Sequence, residues 1–290
     1  MRKIAASELL INDDGSIFHL HLQPCDLADK VILVGDPGRV ELVASFFDTV
    51  ERRVENREFV TVVGTYRGTR FTVVSTGIGT DNIDIVLNEL DALANIDFSR
   101  REVRKELRSL SIVRLGTTGA VQPDMELGSC VMSVVSLGLD SVLYYYAEAE
   151  KIRDKGLEEA FIAHTGWNDV FSRPYAVYAD KGLVKSFGEM ARPGITVSAV
   201  GFYAPQGRML RLQPVISDMI EKFEHFSYNG LRITNIEMES SAVAALSALM
   251  GHKAVTLCTV IAQRSAESSD VDYGEAVKGM VKSALAILSR

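Results

Sequence analysis

The chain has 290 residues, of which 47% are hydrophobic and 24% charged, and it carries a net charge of -7. This is the balance of an ordinary soluble globular enzyme, long enough for one large or two small domains with a sizeable core. The acidic sum argues against general nucleic-acid binding, which needs a basic field, but a local arginine cluster can still hold a small anion.

Cys25, Cys130 and Cys258 are far apart and odd in number, which fits a reducing compartment and a fold without disulfides. The five histidines form no ligand pair at helical spacing, so no metal site is expected. Arg2, Lys3 and Asp13 charge the N-terminus, and no apolar run is long enough to span a bilayer. A cytoplasmic protein without a membrane partner is the expectation.

Residues 1–16 read as a loose lead-in, and residues 17–290 as one α/β domain without repeats or linkers. F-H-L-H-L at residues 18–22 alternates like a strand, which makes His19 a half-exposed strand histidine. V-I-L-V-G-D-P-G-R-V at residues 31–40 is a buried parallel strand turning sharply into a helix. Gly35 there lets a ligand approach the backbone, and Arg39 in the first helical turn adds a guanidinium to free N–H groups. An anion site fits this, as does a plain strand–turn–helix with a surface arginine. Walker and dinucleotide glycine spacings are both absent.

Residues 59–63 and 70–76 form a hairpin around Tyr66, Arg67 and Gly68, with Arg57 and Glu58 just before it. T-G-I-G-T at residues 76–80 then opens a helix. The charged stretch 99–110 reads as a helix with a solvated face. S-I-V-R-L-G-T-T-G-A at residues 111–120 is an apolar strand carrying Arg114, followed by a Gly-Thr-Thr-Gly loop. A buried arginine requires an anion or a carboxylate, so either a phosphate held with Thr117 or a structural ion pair explains it.

Another strand covers residues 131–137, and residues 140–193 read as helices around a Gly166-Trp167 loop. After a strand at 195–202 comes F-Y-A-P-Q-G-R at residues 202–208. Phe202 can stack on a flat ring, Gln206 can pair with adjacent N–H and C=O groups, and Arg208 can donate to carbonyls. A polar surface loop with one anchoring phenylalanine would look the same. I-T-N-I-E-M-E-S-S at residues 233–241 changes period from about 2 to about 3.6 near Met238. Glu237 and Glu239 sit at that change, where α/β folds place ligands, and Ser240 and Ser241 can accept bonds from helix N–H groups. A carboxylate there suits two neighbouring hydroxyls; an acidic first helical turn is the plainer reading. A final buried strand (253–261) and an amphipathic helix starting near Tyr273 close the chain.

Taken in order, G-D-P-G-R, R-L-G-T-T-G-A and N-I-E-M-E-S resemble the nucleoside phosphorylase-I family of purine nucleoside and uridine phosphorylases. F-H-L, N-R-E-F, F-Y-x-x-Q-G-R and I-A-Q-R resemble its uridine-cleaving members. The resemblance implies a three-layer α/β/α fold around a central mixed, partly barrel-like sheet. It implies that Gly35, Arg39, Arg114 and Thr117 hold phosphate, with Arg57 added from a neighbouring subunit. His19 would reach across the same interface to the ribose, and Met238 and Glu239 would bind the sugar. Phe202, Gln206 and Arg208 would hold uracil, with Ile261 lining the pocket and Arg264 a more distant aid. Arg114, Glu239 and Arg208 would be the catalytic set.

The implied reaction is reversible phosphorolysis of uridine to uracil and ribose 1-phosphate, by a homo-oligomer of at least two chains. Inorganic phosphate is then a co-substrate and no organic cofactor is implied. Some bacterial members hold a potassium ion near the positions of Glu58, Ile78 and Asn82, but Asn82 here replaces a serine. Purine-cleaving members place an aspartate where this chain has Ala262. A purine phosphorylase or a catalytically silent nucleoside binder are the alternatives.

Overall fold

The side chains of residues 31–34 are buried on both faces of one strand: Ile32 and Val34 enter one core, Leu33 and Val31 another. Such a strand needs helices on either side. The computed structural model describes residues 3–264 and 273–290, so Met1 and Arg2 of the expected lead-in lie outside the described residues.

The first half of the chain forms β1 (Lys30–Val34), α1 (Pro37–Ala44), β2 (Thr49–Asn56), β3 (Phe59–Tyr66), β4 (Thr69–Ser75) and α2 (Thr80–Asn95). A small hairpin of β5 (Ile96–Asp97) and β6 (Glu102–Val103) leads to β7 (Ser111–Ala120) and β8 (Cys130–Gly138). Next come α3 (Lys155–Thr165), β9 (Tyr175–Tyr178), α4 (Lys181–Phe187) and β10 (Arg192–Ser198). The last elements are α5 (Met219–His225), β11 (Ser227–Tyr228), β12 (Leu231–Glu237), α6 (Ser240–Met250), β13 (Lys253–Gln263) and α7 (Gly274–Leu288).

The main sheet has 11 strands, ordered β11-β12-β10-β8-β13-β7-β1-β4-β3-β2 with β9 on β8. β12 also returns to β7 through Asn235–Ala120 and Ile236–Gly119 pairs, so β7, β13, β8, β10 and β12 form a partly closed barrel of 5 strands. Asn235 pins that closure from inside. Its Nδ2 donates to Thr118 Oγ1 (2.9 Å), and its Oδ1 accepts from Thr196 (2.9 Å) and Thr234 (2.8 Å). α1, α4 and α7 pack on one face of the sheet and α2 and α6 on the other; α3 and α5 cover the barrel wall through Phe161 and Phe223. These are the three expected layers around a mixed sheet.

Several local expectations change. The Gly-Thr-Thr-Gly stretch continues β7 instead of forming a loop, because glycines open room for side chains lying over the strand: Arg114 at Gly116 and Arg264 at Gly119. Residues 18–22 form a turn, with His21 at φ 55°, since the buried Glu89 carboxylate collects the N–H groups of His19 (2.9 Å) and Leu20 (2.8 Å). No helix spans 99–110. The stretch lacks an apolar stripe to pack, and i,i+4 charge pairs contribute only about 0.2–0.5 kcal/mol each. Arg101 instead adopts φ 56° and donates to the carbonyls of Ile4, Ala5 and Leu9. That contact ties down the lead-in expected to be loose, and Leu9 is buried in the core. β2, an exposed edge strand, and β9 give no sequence pattern that separates them from loops.

Candidate active site

At the β12–α6 junction two carboxylates divide the work. Glu237 ends the strand and accepts the N–H of Glu239 (3.0 Å), the N–H of Ser240 (3.0 Å) and the Ser240 hydroxyl (2.7 Å). It satisfies the free donors of α6 that Ser240 and Ser241 were expected to satisfy. Both serines donate instead, Ser241 to Asp140 at 2.7 Å. Asp140 also accepts the Tyr175 hydroxyl at 2.8 Å, which fixes the helix start from behind.

With Glu237 fully engaged, Glu239 points elsewhere. One oxygen accepts the N–H of Gly79 (2.8 Å), the residue that precedes α2. The other pairs with Arg114 Nη2, while Arg114 Nη1 lies 3.2 Å from Glu237. The arginine is 4% exposed, and its Nε has no partner among the described residues. Burial disfavours its charge, but Glu239 and then Glu237 outweigh that and hold the guanidinium firmly protonated. Burial raises the pKa of Glu239 despite Arg114, and Glu237 adds to the rise. One guanidinium does not fully compensate two buried carboxylates. Of the two sequence explanations for Arg114, the ion pair is present.

Arg114 forms one wall of a cleft of about 550 Å³. Gly35, Arg39 and Thr117 border it at the C-terminal side of β1 and along β7, which run parallel. The side chain of Asp36 caps α1 at Gly38 N (2.9 Å), and Arg39 reaches back from that helix to the Leu115 carbonyl at 3.2 Å. Burial and then Arg114 pull the Arg39 pKa down, the signature of cations gathered without enough negative charge.

Phe202, Gln206 and Arg208 border the same cleft. A short 3₁₀ turn at Ala204–Gln206 ends at Gly207, whose φ of 68° lets the chain reverse. Arg208 folds back over the Phe202 ring at 3.8 Å and donates to Gln206 Oε1 (2.5 Å) and the Phe202 carbonyl (2.7 Å). Burial, then the nearby Arg264, pulls its pKa down to about 10. Its charge is held at a disadvantage that an incoming anion would relieve. Met238, Ile236, Ile261 and Ala262 supply apolar wall between these polar groups.

Residues 29–290 match the profile of a family described as Phosphorylase superfamily. The chain belongs to that superfamily. Among relatives, the uridine phosphorylase of Thermococcus kodakarensis is 28% identical over 269 residues, covering 91% of this chain and 83% of that protein. The Escherichia coli K12 uridine phosphorylase is 28% identical over 283 residues, covering 94% and 98%. A crystal structure of a Trypanosoma brucei nucleoside phosphorylase, described as showing uridine phosphorylase activity, superposes with a TM-score of 0.86 at 29% identity, over 97% of this chain and 98% of that one.

In this member of the phosphorylase superfamily three predicted site residues stand outside the cleft lining. The His19 ring pairs with Glu89 at 2.7 Å, and Arg57 lies 5.1 Å over the Phe18 ring, so both belong to one separate surface. Arg264 stands behind Gln206 and donates to its carbonyl at 2.8 Å. Glu237 and Gly79 were not assigned roles from sequence, although Glu237 gave a signal as half of a carboxylate pair; Thr118 and the glycines beside it were expected to supply uncharged donors next to Arg114. Donors reach two of the positions that the resemblance links to potassium in some bacterial phosphorylases. The Ile78 carbonyl accepts an amide N–H of Asn82 (3.4 Å) and the Glu58 carbonyl accepts the Ser75 hydroxyl (3.3 Å).

Proposed function

We propose that this chain is a uridine phosphorylase, catalysing reversible phosphorolysis of uridine to uracil and α-ribose 1-phosphate in cytoplasmic pyrimidine salvage. The observation that carries this reading is a single cleft bordered by two arginines, a buried acid and an amide–guanidinium pair. The similarity to proteins named uridine phosphorylases supports the choice of base.

In this reading Gly35, Arg39, Arg114 and Thr117 hold phosphate beneath the sugar. Glu239 accepts the 2′ and 3′ hydroxyls of the ribose, which packs on Met238. Phe202 stacks on uracil, Ile261 flanks it, and Gln206 and Arg208 hold its carbonyl and N–H edge, with Arg264 bracing Gln206. As the N-glycosidic bond breaks, its electron pair leaves with the base and positive charge develops on the ribose ring. Phosphate stabilises the ring while Arg208, freed toward the ligand, stabilises the uracil oxygens. A phosphate oxygen then bonds to C1′. Charge spread over two carbonyls removes the need for a general acid, in keeping with Ala262 where a purine enzyme would place an acid.

His19 and Arg57 act on a neighbouring subunit's cleft, so the working unit is at least a dimer. 2′-Deoxyuridine is a weaker substrate, since it leaves an acceptor of Glu239 unpaired at about 1–3 kcal/mol. The test is the absorbance change with uridine and with inosine, each with and without phosphate. Phosphate-dependent cleavage of uridine alone is expected; preference for inosine would overturn the base assignment, and uridine binding without turnover would overturn the enzyme.

A further inference from the structure

We infer that Arg114 is a partner switch that couples anion binding to nucleoside binding: Glu237 and Glu239 share it, and an anion draws it off Glu239. This deepens the proposed uridine phosphorylase reading and rests on it.

The two carboxylates are not equivalent. Glu237 is held by two backbone N–H groups and a hydroxyl, so it is a fixed anchor for Arg114 Nη1. Glu239 has the Gly79 N–H on one oxygen and Arg114 on the other, and no hydroxyl donor like that of Ser240 reaches it among the described residues. Its second oxygen is therefore committed to the arginine. The arginine has a buried Nε without a partner among the described residues and lines the cleft together with Arg39. An anion drawn to Arg114 and Arg39 in the cleft competes with Glu239 for the same guanidinium.

Either ligand alone meets a disadvantage. An anion without ribose leaves Glu239 short of a partner in a buried setting, and ribose without the anion must displace Arg114 from Glu239. Bound together, each ligand supplies what the other removes: the anion satisfies Arg114, and two hydroxyls satisfy Glu239. The coupling is reciprocal, as all binding linkage must be. It acts through the sugar, so a free base has no share in it.

The experiment is calorimetric titration at constant ionic strength with inorganic sulfate as an unreactive anion. Saturating sulfate should tighten uridine by about fivefold or more, at the lower end of ordinary coupling, and leave uracil within about twofold. Glu239→Gln should bind sulfate alone several-fold more tightly than the parent, because the competitor for Arg114 is weakened. Equal effects of sulfate on uridine and uracil, or no tightening of uridine, overturn the switch. So does a Glu239→Gln variant whose sulfate affinity is unchanged. That last arm contains no nucleoside, so it decides the switch separately from the turnover assay that tests the uridine reading.

Discussion

A methyl group on Gly116 would collide with Nη1 of Arg114, two residues earlier on the same face of β7, and would stand 3.0 Å from Cys258 Sγ. The hydrogen atom at position 116 is what lets the arginine lie flat between Glu237 and Glu239. Gly116→Ala therefore displaces the guanidinium. We expect uridine phosphorolysis to lose about 10²-fold in kcat/KM, the scale of a roughly 1 Å misplacement, with most of the change in the KM for phosphate. Initial rates at varied phosphate test this; an unchanged KM means the gap does not set the arginine's position.

Arg114→Ala removes the cation paired to both buried carboxylates. A buried pair broken on one side costs about 3–5 kcal/mol at neutral pH. The sign of the pH dependence follows from Glu239, whose pKa is already raised by burial and by Glu237, and whose lowering influence from Arg114 is now gone. A carboxyl with a raised folded-state pKa keeps its full contribution below the unfolded value and loses it as pH climbs through the folded one. The variant thus comes nearest the parent in acid, and the gap widens toward neutrality. Urea unfolding across pH 4–8, on the order of the titration range of a shifted carboxyl, tests this; a gap independent of pH would show that the carboxylates do not carry the loss.

Arg208→Ala takes away a donor expected to matter most when uracil carries charge. A loss of about 10²–10³ in kcat is expected, as for removal of a single preorganised donor, with a smaller effect on uridine binding. Arg264→Ala removes only the brace on the Gln206 carbonyl and should be milder. Steady-state kinetics on both variants decide this, and an Arg208→Ala enzyme within threefold of the parent would remove Arg208 from the chemistry.

Tyr175→Phe deletes a fully buried hydroxyl that donates to both oxygens of Asp140. Hydrogen bonds to charged groups contribute about 1.5–3 kcal/mol, so the urea midpoint should fall with the slope unchanged. Gly138→Ala should be at least as damaging, because its methyl group would meet the Tyr175 ring at 2.5 Å and Ser241 Cβ at 2.8 Å. A midpoint unmoved in Tyr175→Phe would show that water replaces the phenol.

What was legible in the sequence was whatever depends on local pattern. The switch of period at Met238, the Gly-Asp-Pro-Gly stop after β1 and the Arg67-Gly68 turn each announced an element because the backbone there has few alternatives. What stayed hidden depends on partners far along the chain. Glu89 converts residues 18–22 from a strand-like alternation into a turn, although it lies some 70 positions away. Gly116 and Gly119 looked like loop punctuation because glycine serves both bends and close approaches, and only the arginines lying over them separate the two uses. The capping role of Glu237 was invisible for the same reason: composition named two acids at a helix start, and side-chain reach chose between them.

β7 bonds along its length to strands from opposite ends of the chain, with Ser111 facing both Lys30 and Lys253. Its pairing is therefore among the most non-local in the protein, and closing such long loops comes late in folding. A nascent chain can assemble the β1–β4 meander early, but the wall that bears Arg114 stays half-built until β13 has been synthesised. A polypeptide that ends before Lys253 has most strands of its sheet but lacks Ile261 and Ala262 of the cleft wall.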